Sequence, residues 1–375
     1  MENPFNIIKE DNTTDARVGK LKTAHGIVNT PCFMPLATKA TAKYIDPKML
    51  EEITSDAIIC NSFILSMKPG LDIIQKAGGL HKFMNFKHSI FTDCGAFQML
   101  RPSFYIKTTD EGILFNNPFD GKKILLTPAE SMRIQNIIGT DVAMCLDNVP
   151  AYKKGEEQDY SYSLKCTNMT HRWAEECRKH KEKLNSNGQL LFGICQGGFF
   201  PELRKKSAQF LDNLEFDGMA IGGLCLGEPI ELSYELLRAS TLNIDKHKCR
   251  YLMGIGNPRD LLEFISRGID VFDSAFPTQN ARHDTLFTWQ GKLVIDKPIY
   301  KEDFAPIDEK CNCYVCKRYT RAYINFISKV KEPAAHILKS YHNLYFLQEL
   351  MAETRKAILE GRFEKFKEEI EQKFS

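Results

Sequence analysis

The chain is expected to fold as an α/β protein, a (β/α)8 barrel, and three observations lead there. Eight short apolar runs rich in strand-forming residues recur at 31–38, 56–63, 89–97, 141–148, 190–197, 218–224, 249–256 and 270–276. They read as continuously apolar rather than alternating, as strands do when both faces of a parallel sheet are covered. Helical patterns fill the gaps, and eight such units favour a closed barrel over an open doubly wound sheet. No GxGxxG follows the first run, which weakens the dinucleotide-binding alternative.

Taken in order, residues 14–31 read as a hairpin turning near Ala24-His25-Gly26. After the third run, 111–126 (GILFNNPFDGKKILLT) reads as a second hairpin around Asp120-Gly121. Thr127-Pro128-Ala129-Glu130 combines a capping box with proline at the first helical position, and Asn257-Pro258 opens another helix. Beyond Phe276 the alternation stops. A β-rich stretch (LFTWQGKLVI), a cysteine cluster and a helical tail from about 342 to 374 form an appendage, with His342 expected to open the tail helix.

Composition narrows the class. The 375 residues are 43% hydrophobic and 26% charged, with net charge +2, so any nucleic-acid partner must be held by local patches and not by a global field. MENPFNIIKEDNTTD is too polar for a signal peptide, and no apolar run reaches transmembrane length. Of the 12 cysteines, nine are scattered, several in apolar runs such as DAIIC and LLFGIC; that is the pattern of reduced thiols in a cytoplasmic protein.

The other three, Cys311, Cys313 and Cys316 in CNCYVC, present three thiols to one centre. With His342 they complete the closed tetrahedral shell of one structural zinc ion. The competing readings are three unrelated cysteines, or a redox pair, which would normally open a helix after a strand.

Barrel enzymes place reacting groups at the C-terminal ends of their strands. Those ends carry Asp93 in FTDCGAFQ, Asp147 in AMCLDN, Gln196 in GICQGG, Gly222-Gly223-Leu224, Met253 in YLMGIG and Asp273 in VFDSAFPT. Any one aspartate could be a helix cap. Three at one mouth suggest displacement at a glycosidic carbon, one carboxylate attacking and another managing the proton. Phe97 and Met253 could sandwich a flat base, or could be ordinary barrel packing.

Together ARVGKLKTAHGIVNTP, CNSFILSMKPG, GGLHKFM, TDCGAFQ, FGICQGG, FDGMAIGGLCLGE, YLMGIGNP, GIDVFDSAFPT, CNCYVCKRYTRAY and HNL resemble the bacterial-type tRNA-guanine transglycosylases over nearly the whole chain. The resemblance implies a barrel with a zinc-binding subdomain inserted near the C-terminus: one catalytic domain over 1–375, comprising an N-terminal β-hairpin region at 1–30, the barrel from 31–285 with the C-terminal helices, and the zinc-binding subdomain at 286–345. It implies Asp273 as the nucleophile attacking C1′ of the wobble guanosine in GUN-anticodon tRNAs, with a covalent tRNA–enzyme intermediate. Asp93 would be the general acid/base. Asp147, Gln196, Gly223 and Leu224 would read the base edge, Phe97 and Met253 would stack on it, and Asn61 would help orient Asp273. His342 matches the family's fourth zinc ligand. Extruding the nucleotide is a general need of enzymes that act on a base, and an unpaired anticodon loop makes it cheap. Arg282, Lys317, Arg318 and Arg321 are the candidate tRNA contacts, and a homodimer is the expected assembly.

Departures from the family pattern bear on the incoming 7-deazaguanine base. DCGAFQ stands for the usual DSGGFQ, Asn148-Val149 for Glu-Cys, and Leu226 for a Val in bacterial or a Gly in eukaryotic members. Val149 resembles queuine-accepting enzymes, whereas bulky Leu226 argues against a widened pocket, so 7-aminomethyl-7-deazaguanine is favoured over queuine. Gln279 replaces an arginine, and Ile64 stands where His is common. The alternatives are a retaining glycoside hydrolase on the same barrel, a DNA-acting 7-deazaguanine transglycosylase, and a noncatalytic partner subunit, which should lack the aspartates found here.

Overall fold

A computed structural model describes residues 3–54, 56–96, 99–150, 152, 154–184 and 188–374. Strands β1 (Phe5–Glu10), β2 (Arg17–Thr23) and β3 (Gly26–Thr30) form an antiparallel sheet in sequence order. The β2–β3 hairpin lies within 14–31; β1 is a strand that its largely exposed sequence FNIIKE did not announce. β4 (Cys32–Pro35), β5 (Ala57–Asn61) and β6 (Ser89–Asp93) follow. Inserted after β6 is a second antiparallel sheet of β7 (Tyr105–Thr108), β8 (Ile113–Asn116) and β9 (Lys123–Leu126), with Asp120 and Gly121 in its last loop. Then come β10 (Val142–Met144), β11 (Leu190–Cys195), β12 (Gly218–Ile221), β13 (Cys249–Leu252) and β14 (Val271–Ser274). β15 (Thr285–Thr288) and β16 (Gly291–Val294) close a hairpin in the stretch expected to be β-rich.

Eight of these strands make one parallel sheet, in the order β4-β14-β13-β12-β11-β10-β6-β5. Its two edges meet: Leu36 bridges Ile59 in parallel, and the Ala37 N–H donates to the Ile59 carbonyl at 2.7 Å. The sheet is therefore a barrel, and the open-sheet alternative falls. Its strands run three to six residues, shorter than the runs read from sequence, because the C-terminal ends of the runs leave the sheet for loops or for the start of a helix.

Alternation along each strand sorts the core into two clusters. Met34, Ile59, Phe91, Met144, Phe192, Ile194, Ala220, Tyr251 and Val271 fill the barrel interior, together with Phe5, Leu21 and Val28 from the N-terminal sheet. Their neighbours in sequence, such as Phe33, Ile58, Ile90, Cys195 and Phe272, face the helices instead. This is the parity of a pleated strand. Among the outer helices, Pro128–Ile138 is capped as expected, Thr127 accepting from Glu130 N at 3.1 Å, and Pro258–Ile265 starts after Asn257.

The N-terminal sheet covers the barrel end opposite the site, tied there by aspartates one residue before a strand. Asp56 takes the Asn29 N–H and side chain, Asp141 takes His25, and Asp270 takes the Arg17 guanidinium at 2.6 and 2.8 Å. Asp141, Asp217 and Asp270 also accept an N–H from the neighbouring strand, at Ile90, Leu191 and Arg250.

One expectation is overturned. His342 does not open a helix but lies in the interior of Pro333–Leu359, a 27-residue helix packed on β4. The helix begins earlier because Glu332-Pro333 places proline at its first position, a start signal that the sequence reading passed over.

Candidate active site and metal centre

Continuing the interior parity past the strand ends aims Asp93, Gln196, Met253 and Asp273 at the C-terminal mouth of the barrel. There they line one cavity with Asp147, Gly222, Gly223 and Leu224. Asp147, three residues beyond β10, enters from its loop. The strand-end residues singled out in the sequence thus converge. Phe97 lies outside the described residues.

Asp273 is held in a fixed orientation. Its Oδ1 accepts from the Tyr251 hydroxyl at 2.6 Å and from the Gly254 N–H at 3.0 Å. Burial raises its pKa, and these two donors oppose the rise by favouring the ionised form. Burial also raises the Tyr251 phenol well above its usual range, with the adjacent Asp273 charge acting the same way, so Tyr251 stays a donor. Asn61, expected to help orient Asp273, is 1% exposed and absent from the cavity lining. Its Oδ1 caps a short helix through Ile64 N at 2.8 Å, under Gly95. A side chain at Gly95 (φ +79°) would start 2.4 Å from that oxygen, which is why the turn after Asp93 needs glycine.

The opposite wall offers acceptors. Asp147 Oδ2 accepts from Gln196 Nε2 at 2.7 Å, and the Cys94 thiol faces its Oδ1 at 3.7 Å. Burial pushes Asp147 up to about 6, against the pull of those two hydrogen bonds. With its amide nitrogen spent on Asp147, Gln196 leaves Oε1 buried and without a partner among the described residues. Gly223 (φ +70°) allows this proximity: a Cβ there would fall 2.6 Å from Gln196 Oε1. The turn after Leu224 is fixed by Glu228, which accepts from Cys225 N, Leu226 N and the Ser233 hydroxyl at 2.5, 2.8 and 2.6 Å. Tyr251, Cys94 and Glu228 were missed in the sequence. Tyr251 alone left a signal, since it lies two residues before Met253 on the same strand face.

Cys311, Cys313, Cys316 and His342 are all buried, and their donor atoms lie within 4.8 Å of one another. His342 Nδ1 is 3.8, 3.6 and 3.4 Å from the three sulfurs in that order. Its Nε2 meets the Phe287 carbonyl at 2.8 Å, which fixes the tautomer with Nδ1 free to ligate. Four such donors, with no water-facing side, suit a metal that supports structure.

The residues expected to touch RNA are less uniform. Lys317 and Arg318 are exposed on a short helix after the cysteine loop. Arg321 instead pairs with Asp303 at 3.0 Å and donates to the Ile307 carbonyl, so it braces its own loop. Arg282 ends the Phe276–Arg282 helix, which follows Asp273.

The family described as queuine tRNA-ribosyltransferase matches residues 11–375. A queuine tRNA-ribosyltransferase of Caldanaerobacter subterraneus subsp. tengcongensis is 44% identical over 371 residues, covering 99% of this chain and 97% of that protein. Those of Bacillus licheniformis and Bacillus subtilis are 43% and 42% identical over 370 residues, covering 99% of this chain and 96% of each relative. The chain belongs to the queuine tRNA-ribosyltransferase family. The transferase class read from the motifs holds: queuine tRNA-ribosyltransferases are tRNA-guanine transglycosylases of queuosine synthesis, acting on tRNA and a guanine-type base. Among the described residues, no helix is long and apolar enough to cross a membrane.

Proposed function

We propose that the chain exchanges the wobble guanine of GUN-anticodon tRNAs for 7-aminomethyl-7-deazaguanine through a covalent aspartyl–tRNA intermediate. The observation that carries this reading is the pairing of two buried acceptors, the Asp147 carboxylate and the orphaned Gln196 Oε1, across one cavity from a held carboxylate at Asp273. A guanine-type base supplies adjacent N–H donors along one edge, and a site built to receive them loses much by binding anything that lacks them.

Asp273 attacks C1′, the bond from C1′ to the base nitrogen breaks, and Asp93 delivers a proton to the departing guanine. The incoming base then gives its ring proton to Asp93, its nitrogen attacks C1′, and the Asp273 carboxylate is released. One glycosidic bond replaces another, so no energy source is consumed. Tyr251 and Gly254 favour Asp273 in the ionised form that attack requires. Leu226 lines the cavity, and its bulk supports the smaller 7-aminomethyl substituent over queuine, against the contrary signal of Val149. A cavity of about 280 Å³, at the low end of small-molecule sites, also fits one heterocycle better than the sugar chain of a glycoside hydrolase.

The metal is read as zinc, held by Cys311, Cys313, Cys316 and His342 and structural in role. Zinc–sulfur bonds of ~2.3 Å and a zinc–nitrogen bond of ~2.05 Å in a tetrahedron imply sulfur–nitrogen edges of about 3.6 Å. The edges here are 3.8, 3.6 and 3.4 Å. Tyr319 and Tyr323 stack at 5.2 Å beside Phe326, which is 60% exposed; this aromatic face supports homodimerisation through the metal-bearing region. Lys317 and Arg318 are read as phosphate contacts, and the protein as cytoplasmic.

The test is exchange of labelled guanine into GUN-anticodon tRNA, with unlabelled guanine, 7-aminomethyl-7-deazaguanine, 7-cyano-7-deazaguanine and queuine as competitors. Label that stays out of tRNA sinks the reading; queuine as the strongest competitor sinks the choice of base.

A further inference from the structure

Behind the Gly222-Gly223-Leu224 wall of the cavity, and outside its lining, lies a fully buried arginine. Arg204 sits in the first turn of the Pro201–Asp212 helix, where a cation works against the helix dipole, so its placement does not serve the helix. Its guanidinium instead donates to the backbone of two turns. Nε reaches the Gly198 carbonyl at 2.9 Å, Nη1 the Gly222 carbonyl at 2.7 Å and, at 3.4 Å, that of Cys195, and Nη2 the Gly223 carbonyl at 3.0 Å. Gly197 lets the helix come this close, since a Cβ there would fall 2.6 Å from Arg204 N. Burial pushes the guanidinium down to about 10, so it remains charged at neutral pH. A buried charge is costly unless its donors are satisfied, and the acceptors that satisfy this one are the carbonyls of the cavity wall.

The Gly222 and Gly223 carbonyls are consecutive, yet both turn to one guanidinium. Successive carbonyls of an extended strand point to opposite sides; the positive φ of Gly223 (+70°) brings these two to the same side. In a trans peptide the N–H points away from the C=O. The Gly223 and Leu224 N–H groups therefore face away from Arg204, as a pair of successive donors of the kind that cradles an oxygen.

We propose that Arg204 is a positioning residue for base recognition, anchoring the Gly222 and Gly223 carbonyls so that the Gly223 and Leu224 N–H groups stay presented to the ring carbonyl oxygen of the bound base. The inference rests on the guanine-directed reading above and adds to it what holds the reading backbone in place.

The experiment is competition against labelled guanine in the exchange reaction, with guanine and 6-thioguanine as inhibitors of the wild type, Arg204→Lys and Arg204→Met. 6-Thioguanine keeps the N–H donors of guanine and carries a weakly accepting sulfur in place of the oxygen, so the wild type should prefer guanine. Lysine lacks the planar fork that spans two successive carbonyls, and methionine has no donor. In both variants the inhibition constant of guanine should rise by about 2- to 10-fold, the worth of one neutral hydrogen bond. That of 6-thioguanine should rise less, so the preference for oxygen shrinks, most in Arg204→Met. A merely structural role would weaken both inhibitors alike; an equal rise, or none, overturns the proposal. Should neither variant fold, amide spectra of the wild type decide. The Gly223 and Leu224 signals are expected to move further with guanine than with 6-thioguanine, and equal or absent movement overturns the proposal. Wild-type protein that exchanges no guanine removes the base-exchange reading itself. Exchange with an unchanged preference in the variants removes only the role of Arg204.

Discussion

Replacing Asp147 with asparagine should weaken substrate binding and stabilise the fold at the same time. The side chain is 6% exposed, and burial pushes its carboxyl up to about 6. Base recognition uses the ionised form, which outnumbers the acid about ten to one at pH 7 and loses about tenfold for each unit below 6. The reciprocal KM for the free base should therefore fall away on the acid side around pH 6. The substituted amide would keep the shape and one acceptor but lose hydrogen bonds to a charged group, worth about 1.5–3 kcal/mol. That raises the KM about 10- to 150-fold at pH 8 and removes the acid limb.

The stability effect has the opposite sign. A carboxyl whose folded value lies above its ordinary 3.8 makes the fold prefer the protonated form. The penalty is absent below pH 3.8 and complete above about 6. Two units correspond to about 3 kcal/mol, so Asp147→Asn should melt up to ~4 °C higher at pH 8 in a chain of this size. Labelled-guanine exchange between pH 5 and 9 gives the KM profile, and thermal unfolding gives the second quantity. A variant that melts lower at pH 8 and keeps the wild-type acid limb would refute the reasoning.

Three further outcomes follow from particular contacts. Tyr251→Phe removes the 2.6 Å donor to Asp273, so the nucleophile's pKa should rise and the acid limb of kcat move to higher pH, read from single-turnover rates. His342→Ala should lower bound zinc well below one per chain by elemental analysis and lower the melting temperature, since the helix of His342 then loses its tie to the cysteine loop. Asp141 is held below the usual carboxylate range: hydrogen bonds from His81, Ile90 N and His25 outweigh the opposing effect of burial. Its contribution is present above the ordinary carboxylate value and lost as pH falls through the lower folded value. Asp141→Asn should therefore be less stable than the wild type at pH 6, with the difference shrinking below about pH 4.

Much of the site was legible because strand parity carries it. A continuous apolar run announces a buried strand, and the polar residue two steps beyond an interior position faces the mouth; Asp93, Gln196 and Asp273 obey this rule. What sequence could not give are contacts between strands. Cys94 meets Asp147 and Tyr251 meets Asp273 only once neighbouring strands pair in the sheet. Asn61 carries a local contact that the sequence reading did not name, its Oδ1 capping a short helix at Ile64. The three thiols were readable from spacing within one loop, but His342 reaches them through the packing of a long helix, and there the family resemblance supplied what local pattern did not. Arg321 looked like a surface cation and is used by Asp303, a partner 18 residues away that no local pattern marks.

The central claim is that Asp273 forms a covalent bond to C1′ of the tRNA. The direct measurement is a denaturing gel of enzyme mixed with GUN-anticodon tRNA in the presence of a non-reacting base analogue. The account predicts a shifted protein–RNA band for the wild type, none for Asp273→Asn, and peptide mapping of the attachment to Asp273. A band of undiminished intensity in Asp273→Asn, or attachment at another residue, would contradict it.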